Sequence, residues 1–234
     1  MQTLTEPKML KALAAAAMLL IAAAPARAGL TLSQAVIDIQ PTHQMAQDIE
    51  VWNDSKEVSY VVAQPAEIVA PGQPDEKRVA VEDPAVGGLL VTPQRLILQP
   101  QERKLIRIAA VGAREAKDRI WRVIVKPVAG PVSAPVTAIK VLIGYDVLVI
   151  LRPETLQSGL KGQRQGNALT LTNGGNTNVE VYEGKVCSPA APTDCQPLPS
   201  RRLYAGEQWQ QALPREGDVQ YRVAIGTQSE VAKF

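Results

Sequence analysis

Along most of this chain apolar and polar residues alternate in short runs punctuated by proline, glycine, asparagine and aspartate, and no long stretch recurs at helical spacing. Alternation sends successive side chains to opposite faces of an extended chain, so the pattern predicts an all-β protein. Strands are expected over Gly29–Ile39, which Pro41 ends, and over Met45–Asn53, Val58–Pro65, Leu89–Thr92, Arg95–Leu98, Lys104–Ala110 and Arg119–Pro127. Asn53-Asp54-Ser55 and Pro100-Gln101-Glu102-Arg103 read as turns. Ile68–Pro84, rich in proline and charge, reads as a solvated connection with at most one short edge strand.

The stretch Thr137–Pro153, TAIKVLIGYDVLVILRP, breaks the rule of one polar face. Thr137, Ile139, Val141, Ile143, Tyr145, Val147 and Val149 share one side of it, and the opposite side is apolar as well. Such a strand is either central in a sheet or carries a surface meant for a partner. Paired with Arg119–Pro127 across the loop VAGPVSAP, it makes an extended hairpin. Arg152-Pro153-Glu154-Thr155 then breaks the pattern, and residues 158–166 are rich in glycine, glutamine and lysine. A domain boundary is placed in this region, giving domains 29–153 and 154–234. In the second, strands are expected over Asn167–Thr172, Asn178–Val186, Arg201–Tyr204, Glu207–Leu213 and Val219–Ile225, with a turn at Asn173-Gly174-Gly175-Asn176. Short strands at this spacing suggest a β-sandwich in each part.

Composition narrows the function. Lys8 and Lys11 precede an apolar run from Ala12 to Ala24, and Pro25-Ala26-Arg27-Ala28 has the small residues of an export cleavage site, so residues 1–28 are expected to be a cleaved signal peptide. The run is shorter than the roughly 20 apolar residues of a membrane span, and an exported protein with no stable membrane insertion is expected. The formal net charge of +2 includes signal lysines, the basic residues are scattered and aromatics are few, which argues against nucleic acid as a partner. Two cysteines in an exported chain, Cys187 and Cys195, read as a disulfide that staples a small second domain. They do not read as a metal site, because the only histidine is His43, far away in sequence. His43 has no nucleophile signature near it, and no phosphate-cradling glycine loop leads into a helix, so neither an enzyme nor a cofactor is expected.

Four stretches, LLVTPQRLILQPQERKLIRI from Leu89, Arg119–Lys126, the strand end VILRP and LTLTNGGNTNVEV from Leu169, together resemble the periplasmic pilus-assembly chaperones. The cysteine pair and the later LPSRRLYAGE are most similar to the alternate or alpha type, which serves common-pilus and class 5 fimbriae. The resemblance implies two immunoglobulin-like β-sandwich domains in tandem, arranged as a boomerang, and a chaperone of the periplasm. It further implies that pilin subunits, which lack their last strand, borrow one from the chaperone and are delivered to an outer-membrane usher. The donor side chains would be Ile139, Val141 and Ile143, with Tyr145 ending the row. An exposed apolar edge of this kind would also permit self-association.

The sequence departs from the family in one respect. The arginine and lysine with which the better-known chaperones clamp the pilin's terminal carboxylate fall, by strand register, near Gln34 or Ala35 and on Leu148, and none of these is basic. The cations standing in apolar strands, Arg122, Lys140 and Arg107, are the candidates for that anchor, since an unpaired charge there is costly. The competing class is a fimbrial structural subunit or another exported β-sandwich binding protein. A subunit would be expected to carry an N-terminal donor extension, whereas the first strand here starts almost at the cleavage site.

Overall fold

The computed structural model describes residues 29–41, 45–128 and 142–234. The expected signal peptide, His43, the donor positions Ile139 and Val141, and the anchor candidate Lys140 lie outside these. Strands dominate: β1 (Thr31–Leu32), β2 (Val36–Ile39), β3 (Ala46–Trp52), β4 (Ser59–Val69) and β5 (Lys77–Ala80), then one short helix α1 (Pro84–Gly87). They continue with β6 (Leu89–Thr92), β7 (Arg95–Leu98), β8 (Arg103–Ala110), β9 (Arg119–Val128) and β10 (Tyr145–Leu151). Beyond residue 159 come β11 (Leu160–Gln165), β12 (Ala168–Asn173), β13 (Val179–Ser188), β14 (Ala191–Leu198), β15 (Arg201–Leu203), β16 (Gln208–Ala212), β17 (Asp218–Ile225) and β18 (Gln228–Lys233).

In the first half the sheet β1-β3-β8-β6 packs on β2-β10-β9-β4-β5, to which β7 adds by pairing with β4. Inward residues of both sheets, Ile49, Val51, Ile106, Ile108, Trp121, Val123, Val147 and Val149 among them, form one core. The second half repeats the plan with β11-β12-β16 against β14-β13-β17-β18, β15 pairing with β13, around Leu169, Leu171, Val181, Leu203, Val219 and Tyr221. The architecture is two immunoglobulin-like sandwiches in tandem, and among the described residues no sheet mixes strands from the two halves.

Each half also contains the same corner. Asn53, fully buried, donates from Nδ2 to Glu57 O, Leu98 O and Gln99 O and accepts from Ser55 N at 3.1 Å. Asn173, equally buried, donates to Thr177 O and Leu203 O and accepts from Gly175 N at 3.0 Å. An asparagine suits both places because its amide offers a donor to neighbouring carbonyls and an acceptor to its own turn.

Several elements differ from the sequence expectation, each for a local reason. Residues 29–39 form two strands, because Ser33 exchanges hydrogen bonds with Glu50 through its N–H and its Oγ and the chain then crosses to the other sheet, where β2 runs parallel to β10. The strand expected to stop at Pro65 continues to Val69. Pro65 accepts from Val81 N on the side where β7 has ended and β5 begins, so its missing N–H falls in a gap between two partners. The polar stretch 158–166 contains β11, an edge strand whose side chains are nearly all solvated. The segment between the cysteines joins β13 to β14, a hairpin in which the disulfide-bonded Cys187 and Cys195 face one another. The final strand, β18, is an exposed edge.

Candidate functional site

The site is built around β10. It pairs antiparallel with β9 over its whole length, whereas its other edge is covered by β2 only from Leu148 to Leu151. Among the described residues, Tyr145, Asp146 and Val147 thus have no strand beside them on that edge, which leaves an open flank. Leu148 N donates to Ala35 O at 2.9 Å and Arg152 N donates to Ile39 O at 3.1 Å, so the even-numbered residues aim their main-chain groups toward that flank. Asp146 does so just beyond the start of β2.

Both faces of β10 are buried, each by a different neighbour. Val147, Val149 and Leu151 enter the first sandwich. Leu148 and Ile150 form a second apolar cluster with Ile68 and Ile120, capped by Tyr204 from the second half. Of the expected donor row, Tyr145 packs against the first core and its hydroxyl donates to Leu30 O at 3.0 Å. Ile143, just before the strand, is 52% exposed.

Of the three candidate cations, the two described ones, Arg107 and Arg122, do not come together. Lys140 lies outside the described residues. Arg107 stands on β8, in the other sheet, in a two-pronged pair with Asp48 at 2.8 and 2.9 Å that holds the Asp48 carboxyl below its ordinary range. Arg122 is on the face of β9 turned away from the core, in register with Leu148, the position at which the sequence register had placed no base. Its Nη1 donates to Asp146 O at 3.3 Å, and the Asp146 carboxylate is in turn paired with Arg78 of β5. Of the two described candidates, Arg122 alone therefore reaches the open flank of β10.

The elbow between the halves carries charged groups that sequence reasoning missed. Arg152, 1% exposed, holds both Asp38 carboxylate oxygens at 2.7 and 2.8 Å and donates to Thr177 Oγ1 and Asn178 O in the second half. Asp118 accepts from the main-chain and side-chain nitrogens of Asn178. Asn176 Nδ2 donates to Ala116 O and Thr155 O. Arg202 pairs with Glu180 and donates to Asn178 Oδ1 near Tyr204, whose hydroxyl pKa is raised by burial. The available signal was the arginine at the end of the most apolar strand, where the reasoning that singled out Arg122 applies equally.

Burial pushes the Asp118 carboxyl above its ordinary value of 3.8, against the opposing hydrogen bonds from Asn178 and Thr177 and the charge of Arg152. A carboxyl with a raised folded-state pKa binds its proton more tightly in the folded chain, so its stabilisation is complete below pH 3.8 and is lost as pH rises through the folded pKa. The stability of the wild type relative to Asp118→Asn is therefore expected to fall as pH increases above 3.8 and then level off. Paired thermal melts from pH 3 to pH 7 check this, and a difference that grows with pH would contradict it.

Comparison with known proteins agrees with this architecture. No family model matches the chain. A curated Escherichia coli protein, named as one of the CFA/I fimbrial subunits, is 27% identical over 147 residues, which are 59% of this chain and 61% of that protein, so the chain spans about three fifths of the curated relative it matches. Among solved structures, the class 5 fimbriae chaperone CfaA superposes with a TM-score of 0.63 at 22% identity, covering 87% of this chain and 98% of that one. A chain of the Salmonella enterica SafA pilin–SafB chaperone complex gives 0.63 at 16% identity, covering 90% and 98%. The periplasmic chaperone SfaE gives 0.60 at 16% identity, covering 88% and 98%. The two tandem sandwiches share the fold of these fimbrial chaperone structures.

Proposed function

We propose that this protein is a periplasmic chaperone that holds fimbrial pilin subunits by lending them a strand and then delivers them to an outer-membrane usher. The observation that supports this best is the open flank of β10 beside Asp146, bordered by the half-exposed Ile143. An incomplete pilin sandwich would add its edge there, with main-chain hydrogen bonds for affinity and alternate side chains in its groove for register. Val147 and Val149 plug the chaperone's own core, and the same parity continues through Tyr145 to Ile143, Val141 and Ile139, which would plug the pilin's. At about 1.5–3 kcal/mol for each buried aliphatic side chain, three of them contribute several kcal/mol before ordering costs. Arg122, which reaches that flank, would take the pilin's terminal carboxylate. The signal peptide, the division at residues 153 and 154, and the usher step belong to the same reading. Self-association of the free protein through β10 would protect the same edge.

The test is periplasmic co-expression with a candidate fimbrial pilin, comparing the native chain with Ile143→Asp. A soluble one-to-one complex is expected for the native chain. The variant should lose it while melting as the native chain does, because the side chain is half exposed and a carboxylate there is solvated. Unfolding of the variant would assign Ile143 to this protein's own core, and normal binding would place the partner surface elsewhere. A chain that polymerised with itself would be a pilus building block instead.

A further inference from the structure

In the unbound protein, the cation that reaches the open flank also covers the first main-chain acceptor on it. A strand added beside β10 needs Asp146 O, which points past the start of β2. The preceding chain has already turned away, since Ser33 N bonds Glu50 O at 3.0 Å in the opposite sheet. Among the described residues no main-chain donor reaches Asp146 O, and the Arg122 guanidinium takes that place. Nearby, Arg78 pairs with the Asp146 carboxylate, so the carboxylate already has its own counter-ion and the Arg122 guanidinium is left on the main-chain carbonyl.

We infer that Arg122 gates the edge it anchors. This rests on the reading that Arg122 receives the pilin's terminal carboxylate. A hydrogen bond from a cation to a carboxylate is stronger than one to a neutral carbonyl, so a carboxylate arriving at the flank draws the guanidinium off Asp146 O and releases that acceptor for a partner N–H. Strand pairing then starts beside the anchor and proceeds toward Ile143. The segment selected is an extended, apolar one that ends in a free carboxylate at Asp146, and it runs parallel to β10. An internal or amidated strand meets a capped edge, so the gate selects for chain ends as well as for apolar pattern.

Fluorescence anisotropy with a peptide of the pilin's last twenty residues, made as the free acid and as the C-terminal amide, tests the gate on the full chain. Wild type is expected to prefer the acid by about tenfold or more. Arg122→Met should abolish that preference and also bind the amide tighter than wild type does, by roughly threefold, because Asp146 O is no longer capped. Melting curves establish that the variant is folded. Arg122→Gln, whose side chain is too short to span to Asp146 O, gives the same expectation should the methionine variant fail to fold. If wild type prefers the acid but neither variant binds the amide more tightly than wild type, the gate is wrong and the anchor stands. If wild type does not distinguish acid from amide, the anchor fails and the gate with it.

Discussion

Arg152→Met is expected to cost about 3–5 kcal/mol and to lower Tm by on the order of 10 °C. The guanidinium is 1% exposed and is shared between the Asp38 carboxylate of the first half and Thr177 Oγ1 and Asn178 O of the second. Methionine fills much of the volume but leaves the Asp38 carboxylate, only 26% exposed, without its counter-ion, and such an orphaned charge is what makes breaking a buried pair expensive. Removing both partners should restore part of the loss, so Arg152→Met with Asp38→Leu is expected to be more stable than Arg152→Met alone. Urea denaturation followed by circular dichroism measures both. A loss below about 1 kcal/mol in the single variant, the range of exposed ion pairs, would show that the elbow does not depend on this arginine. Loss of the pin should also let the halves unfold separately, visible as two transitions where the wild type is expected to show one.

Much of this architecture is legible in the sequence, where the alternation is strong. Leu89–Thr92 and Arg95–Leu98 are recovered residue for residue around Pro93, and the turn at Asn173 falls where the pattern breaks. Strands went unread where a solvated edge strand needs no apolar face, as in Leu160–Gln165 and Gln228–Lys233, whose order comes from main-chain pairing with β12 and β17. The sheet switch at Ser33 was hidden for another reason, because it depends on a cross-chain bond to Glu50. At the site, the two-faced character of β10 was plain, but the partner covering its second face, Tyr204, is more than fifty positions away in sequence. Arg107 and Arg122 look alike as cations in alternating strands. Only strand order separates them, by putting Arg122 beside Leu148 and Arg107 beside Asp48.

Asn173→Asp tests how far a single corner supports the elbow, and it is expected to cost roughly 2–6 kcal/mol through two buried carbonyls left without donors. The side chains have nearly the same shape, so packing is unchanged. The carboxylate still accepts from Gly175 N, but it cannot donate to Thr177 O and Leu203 O, now 2.9 and 3.0 Å from Nδ2, and it sets an oxygen against both. Asn53→Asp is the matched control, since Asn53 makes the same kind of bonds to Glu57 O, Leu98 O and Gln99 O in the first half and should cost a similar amount. The two differ in what their turns carry. The turn after Asn173 presents Asn176, Thr177 and Asn178 to Ala116, Arg152 and Asp118 across the elbow, whereas the bonds of Asn53 and Ser55 stay within the first half. Hydrogen exchange separates local from distant effects: the Asp118 N–H, bonded to Asn176 O at 3.1 Å, should lose protection in Asn173→Asp and keep it in Asn53→Asp at the same residual stability. Equal loss of protection in both would mean that the elbow opens only with global unfolding, and that the corner of the second half stabilises its own sandwich without positioning it against the first.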